Sequence, residues 1–198
     1  MRVLLLGLLA CFMALAQQEP MPVFGTTVVI PTGLHGLVYQ ISRRSTHLPD
    51  LTKRKPIGSI YTSSLDIPVQ DFKQGFPGVT KHTEWFAIDY TGRFWIEKAG
   101  AYTFSLLSDD GSKLWIDDMP VIDNDGIHPP LENRADVNLS HGVHSIRVSY
   151  FQGPRFQVAL QLKVAGPGET LHIFSTDEFK PPADPGEWRL PVEGERRQ

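Results

Sequence analysis

The sequence predicts an all-β fold, an antiparallel β-sandwich or barrel, and three observations carry the prediction. Short apolar/polar alternations with a period of two recur along the chain. Such alternation is the mark of strands buried on one face and wet on the other. Turn residues separate the alternating runs: Thr91-Gly92, Ala99-Gly100, Asp110-Gly111, Asp125-Gly126, His141-Gly142, Gln152-Gly153-Pro154 and Ala165-Gly166-Pro167-Gly168. No convincing amphipathic helical period interrupts them. Many short strands at this spacing read as one all-β domain.

In chain order, Met1-Arg2, the apolar run Val3 to Leu15 and Ala14-Leu15-Ala16 read as a secretory signal peptide over residues 1–16, cleaved near Ala16. The apolar run falls short of the ~20 residues a bilayer span needs, and no second such run exists, so no membrane span is expected. Leu8-Leu9-Ala10-Cys11 resembles a lipidation box, but the apolar region continues past it. Residues 17–32 read as an N-terminal extension with a candidate strand at Val23 to Ile30. A β domain is expected over 33–180. Within it, residues 42–82 are the least regular part and are expected as long loops with one or two helical turns. Basic Arg43, Arg44, Lys53, Arg54 and Lys55 gather there, with Pro56, Pro68 and Pro77.

The clearest strands follow. Tyr102, Phe104 and Leu106 alternate with polar residues. So do His144, Ile146, Val148 and Tyr150, and then Phe156, Val158, Leu160, Leu162 and Val164. Residues 181–198 are proline-rich and charged and read as a loose tail or linker.

Removing residues 1–16 leaves 198 − 16 = 182 residues, enough for one sizeable core. The only cysteine, Cys11, leaves with the signal, so disulfides, thiolate zinc and a cysteine nucleophile are all excluded. The formal charge of −3 becomes −4 without Arg2, and no basic aromatic-interleaved patch appears, so nucleic acid is not an expected partner. The expected location is secreted, or periplasmic and cell-envelope.

One stretch stands out chemically. Residues 105–126, SLLSDDGSKLWIDDMPVIDNDG, gather Asp109, Asp110, Asp117, Asp118, Asp123 and Asp125. An EF-hand frame with Gly126 at the sixth position puts Val121 at the first ligand position, and it fails. A glycosidase-type pair, such as Asp109 with Asp125 or Glu84 with Asp89, has no supporting pattern. Two readings stay open. Asp109-Asp110, after a strand and before Gly111, suits a hard-oxygen Ca²⁺ site. Asp-Gly is also a common hairpin signal, and on chemistry alone the turn reading leads.

The runs Gly92-Arg93-Phe94-Trp95-Ile96, Gly100 to Asp118, Val121-Ile122-Asp123-Asn124 and Gly142 to Phe151 closely resemble the PA14 domain, and Gly33 to Tyr39 fits its opening. The resemblance covers about residues 33–175. It implies an antiparallel β-barrel or sandwich of the PA14 type, found in bacterial toxins, glycosidases and fungal adhesins. In those adhesins two adjacent aspartates joined by a cis peptide bind Ca²⁺, and the ion ligates sugar hydroxyls. Asp109 and Asp110 match that pair. An asparagine and backbone carbonyls from a later loop complete the adhesin site. Here the matching position is Gln152, followed by the short turn Gly153-Pro154-Arg155.

The resemblance therefore implies Asp109, Asp110 and Gln152 as metal ligands, with Asp125 and Arg155 added as sugar-contacting candidates. Ca²⁺ is the implied cofactor. The expected function is a non-catalytic module binding carbohydrate or glycoconjugate. The alternative is a metal-independent domain that docks to an envelope protein or polymer through the basic 43–55 loop. Neither an HExxH nor a G-x-S-x-G motif supports an enzyme. His144 shares the parity of Ile146 and Val148 and is expected as a buried, hydrogen-bonded core residue. Trp85, Trp95 and Trp115 lie in apolar runs and are expected in the core. Asn138-Leu139-Ser140 is a glycosylation sequon, meaningful only in a eukaryotic secretory route.

Overall fold

The computed structural model describes residues 33–72, 76 and 83–181. The expected signal peptide, the 17–32 extension with its candidate strand, Pro77, and the tail from residue 182 onward lie outside the described residues. Two antiparallel sheets face each other, and no helix occurs among the described residues.

The first sheet has six strands in the order β2-β1-β4-β9-β6-β7. These are β1 Leu34–Gln40, β2 Gly58–Thr62, β4 Phe86–Ile96, β6 Ser112–Ile116, β7 Met119–Asn124 and β9 Gly142–Gln152. The second runs β11-β10-β5-β8, with β5 Gly100–Asp109, β8 Leu131–Leu139, β10 Gln157–Ala165 and β11 His172–Ile173. β3, Asp66–Asp71, pairs with β10 on the edge that β11 occupies further along.

The alternations place the core. Phe94, Ile96, Tyr102, Phe104, Leu106, Ile146, Val148, Tyr150, Leu160 and Phe174 are all buried between the sheets. Phe94 meets Phe104 and Phe174 edge-on, with ring centroids 6.4 and 5.5 Å apart, an arrangement that aligns ring edges with ring faces. A smaller cluster of Tyr39, Ile41, Leu51, Ala87 and Phe151 lies outside the first sheet, beneath the segment after β1.

Two expectations need correction. Among the described residues of 42–82, β2 and β3 stand in place of helical turns, and the turn at Leu51–Arg54 is closed by a single backbone bond of 3.0 Å. Both strands are edge strands held by pairing to β1 and β10. Their residues are mostly exposed on both faces, so no alternation advertises them. Pro68 sits in β3 beside a register shift, where a missing N–H is tolerated. The second correction is Phe156. It is not on the buried face of β10 but one residue before the strand, and it is 80% exposed.

Candidate functional site

β5 ends at Asp109 in the second sheet, and β6 begins at Ser112 in the first, so Asp110 and Gly111 carry the chain between sheets. The Asp109–Asp110 peptide is cis. Gly111 is obligatory at this crossing, because a Cβ there would lie 2.4 Å from the Phe151 ring and 2.7 Å from the Gly126 nitrogen. Its carbonyl accepts the Phe151 N–H at 2.9 Å, which fixes the crossing to β9.

Two further loops converge on this point. The β7–β8 loop supplies the His128 N–H to Asp110 Oδ1 at 3.3 Å. The β9–β10 turn supplies the Gly153 N–H to Asp110 Oδ2 at 2.7 Å. Between them opens a cleft of about 310 Å³. Asp109 and Asp110 line its buried part. Ile127, His128 and Pro129 stand on one side, with Pro154, Phe156 and Gln157 on the other. Ile127 and Phe156 are exposed at its mouth.

Burial and the neighbouring Asp110 charge push the Asp109 carboxyl up to about 6, although His128 opposes them. Burial also raises Asp110, against the hydrogen bonds from Gly153 and His128. Lys113, the nearby lysine of β6, is committed instead to Asp123 and Asp125, at 3.1 and 3.2 Å. Two adjacent buried carboxylates with this electrostatic debt fit a hard divalent cation, whose charge reverses it. Among the described residues no three His, Cys, Asp or Glu side chains cluster as a metal cage. A cation here would therefore rest on Asp109 and Asp110 together with neutral oxygens.

The other sequence-predicted residues divide. Gln152 is fully buried beside the pair, but its Oε1 faces the Tyr150 hydroxyl at 2.5 Å. Its Nε2 donates toward Asp110 Oδ2 at 3.5 Å and to the Pro154 and Gln157 carbonyls at 3.2 Å each. The nitrogen, not the expected oxygen, looks toward the acids. Asp125 turns away, because its Oδ1 accepts the Leu48 N–H at 2.8 Å and its Oδ2 pairs with Lys113. Arg155 is exposed at the tip of the turn and does not line the cleft.

Sequence reasoning missed Phe156 and Ile127. The proximity of Phe156 to Gly153-Pro154 was a usable signal, since a strand seldom starts inside a turn. His128, in the β7–β8 loop, lines the cleft beside Asp110. Of the tryptophans, Trp95 is buried, and Trp85 packs against the smaller cluster. Trp115 departs from the expected core position. It shares the outward parity of Lys113, and the Arg147 guanidinium lies 4.8 Å from its ring centre. His144 is buried as expected, bonded to Asp117 and the Ser140 carbonyl.

The sequence profile of the PA14 domain matches residues 35–177. The chain belongs to the PA14 domain family. No curated relative matches it in sequence. Among solved structures, this PA14 domain is similar to the PA14 domain of the antifreeze protein MpAFP, with 19% identity and a TM-score of 0.63 over 74% of this chain and 88% of that one. It is also similar to a PA14 sugar-binding domain from an RTX adhesin, at 17% identity and TM-score 0.61, covering 73% and 96%. A third likeness is to the epithelial adhesin 9 A domain of Candida glabrata, in complex with Galβ1-3GlcNAc, at 16% identity and TM-score 0.55, covering 74% and 87%. At these identities the likeness is one of fold.

Proposed function

We propose that this PA14 domain is a secreted, non-catalytic module that binds carbohydrate in the cleft between the β7–β8 and β9–β10 loops. The observation that carries the reading is the meeting of the buried Asp109–Asp110 pair with exposed Phe156 at one rim. Sugars present hydroxyls on their edges and C–H groups on their faces. An acid pair holding Ca²⁺ suits the first, and an exposed aromatic ring suits the second. Asp109 and Asp110 would hold the ion, which supplies open coordination positions for hydroxyl oxygens. Ca²⁺ takes about six to eight oxygens, so two carboxylates leave room for water and ligand. Two of the similar folds are named as sugar-binding or sugar-bound, which supports the same direction.

The test is a glycan array probed in Ca²⁺ and again in EDTA, beside calorimetric titration of Ca²⁺ into the protein and into D109N/D110N. The expected result is Ca²⁺ heat that the double variant lacks, with glycan signals that EDTA removes. Glycan signals indifferent to EDTA would sink the metal part of the reading. A silent array in Ca²⁺ would sink the sugar part.

A further inference from the structure

Beneath the acid pair, Tyr150 and Gln152 hold a hydrogen-bond conflict. A tyrosine hydroxyl carries one hydrogen. Two acceptors stand within its reach: the Asp109 carbonyl at 2.7 Å and Gln152 Oε1 at 2.5 Å. One of them goes unserved, and both Tyr150 and Gln152 are wholly buried. At the other end of the same carboxamide, Nε2 faces only oxygens: Asp110 Oδ2 and the carbonyls of Pro154 and Gln157.

Half a turn of the carboxamide about its last bond exchanges its nitrogen and oxygen in place. Nε2 then donates to the Tyr150 oxygen, the Tyr150 hydrogen goes to Asp109, and the conflict disappears. The cost moves to the other end. Oε1 would join Asp110 Oδ2 and two carbonyls, four oxygens that lose both amide hydrogens and keep the Gly153 N–H on Asp110 Oδ2. Such a group is unfavourable when buried and empty, and favourable around a cation. The present setting leaves one acceptor unserved at Tyr150 but gives the oxygen cluster its N–H donors; the turned setting resolves Tyr150 and needs a cation at the cluster.

We propose that the Gln152 carboxamide is a place-holder for the cation. Its Nε2 fills the oxygen cluster in the cation-free protein, and it turns over to present Oε1 when Ca²⁺ binds. The Tyr150 hydroxyl is the positioning group that accepts the displaced N–H. This rests on the calcium reading above and adds to it a mechanism of cation entry without backbone movement. It also gives Gln152 the ligand role that its cation-free orientation hides.

The test uses NMR of the isotope-labelled chain, following the side-chain NH₂ of Gln152. In EDTA its protons should show contacts to Pro154 and Gln157. In saturating Ca²⁺ these should give way to contacts with the Tyr150 ring. Ca²⁺ heat that D109N/D110N abolishes, with the amide contacts unchanged, would overturn the place-holder and leave the calcium reading standing. No Ca²⁺ heat and no change at the amide would overturn both.

Discussion

The backbone N–H of Gly153 donates to Asp110 Oδ2 at 2.7 Å, so the β9–β10 turn and the acid pair form one unit. His128 does the same from the β7–β8 loop. The sandwich thus presents three loops at one end whose mutual positions are set by a single carboxylate. Backbone donors orient Asp110, and burial keeps the site from relaxing into solvent. A ligand that draws on Asp110 therefore acts on both flanking loops together.

The crossing between sheets should be the least tolerant backbone position of the site. Gly111→Ala places a methyl against the Phe151 ring and the backbone of Gly126 at contact distances that real side chains do not reach. Backbone cannot swing aside as a flexible side chain can. The variant should lose about 2–3 kcal/mol in urea denaturation, within the usual range for overpacking. Stability within ~0.5 kcal/mol of wild type would mean that the β7–β8 loop yields easily.

Asp109 should destabilise the cation-free protein at neutral pH. Its folded-state carboxyl is raised from 3.8 to about 6 by burial and Asp110, so ionising it opposes folding. The penalty is complete above about 6, decays as the pH falls through the interval, and is gone below the unfolded value. In EDTA at pH 7, Asp109→Asn should be more stable than wild type by on the order of 1–2 kcal/mol. The difference should shrink toward pH 4. Added Ca²⁺ should reverse the order at pH 7 by stabilising only the wild type. A variant less stable than wild type in EDTA at both pH values would show that the carboxylate is held by favourable contacts instead.

Phe156 separates binding from folding. It is 80% exposed, so Phe156→Ala should change stability by less than about 0.5 kcal/mol. Glycan affinity should fall by roughly tenfold, the loss of one aromatic contact at the cleft mouth. Calcium heat should be untouched. If glycan binding survives intact, the ligand lies elsewhere on the rim.

Much of this was legible in the residues, and the failures have physical causes. Central strands such as β5, β9 and β10 bury one face, so their period of two survives into the sequence. β2 and β3 are defined by partners distant in sequence and by nothing local. Trp115 was readable, because Leu114 and Ile116 claim the inner face of β6 and leave Trp115 with Lys113 outside. At the site, Asp109 and Asp110 were legible as adjacent acids at a strand end before Gly111, which on chemistry alone read as a turn; the resemblance to PA14 domains singled them out as ligands. Asp125 could not be dismissed, because its partners Leu48 and Lys113 lie on other strands and loops. The orientation of Gln152 depends on Tyr150 and three oxygens, which no linear pattern encodes.

His144 gives a pH test far from the cleft. Its Nδ1 lies 2.6 Å from Asp117 Oδ2 and its Nε2 lies 2.9 Å from the Ser140 carbonyl. Both partners are acceptors, so the protonated ring satisfies both, one nitrogen donating to each. Burial opposes that charge, but the Asp117 and Ser140 hydrogen bonds outweigh it and raise the His144 pKa. For Asp117, burial works upward, and the bonds from His144 and Ser145 carry the net shift downward. A raised histidine contributes stability that is full below its unfolded value, near 6.5, and is lost as pH rises through the folded value. The Asp117 contribution is present above its unfolded value and is lost only in acid. His144→Gln should therefore cost most near pH 6 and progressively less toward pH 9, measured as the difference in melting temperature from wild type. A difference that stays constant over that range would show that the ring is neutral and that its role is packing alone.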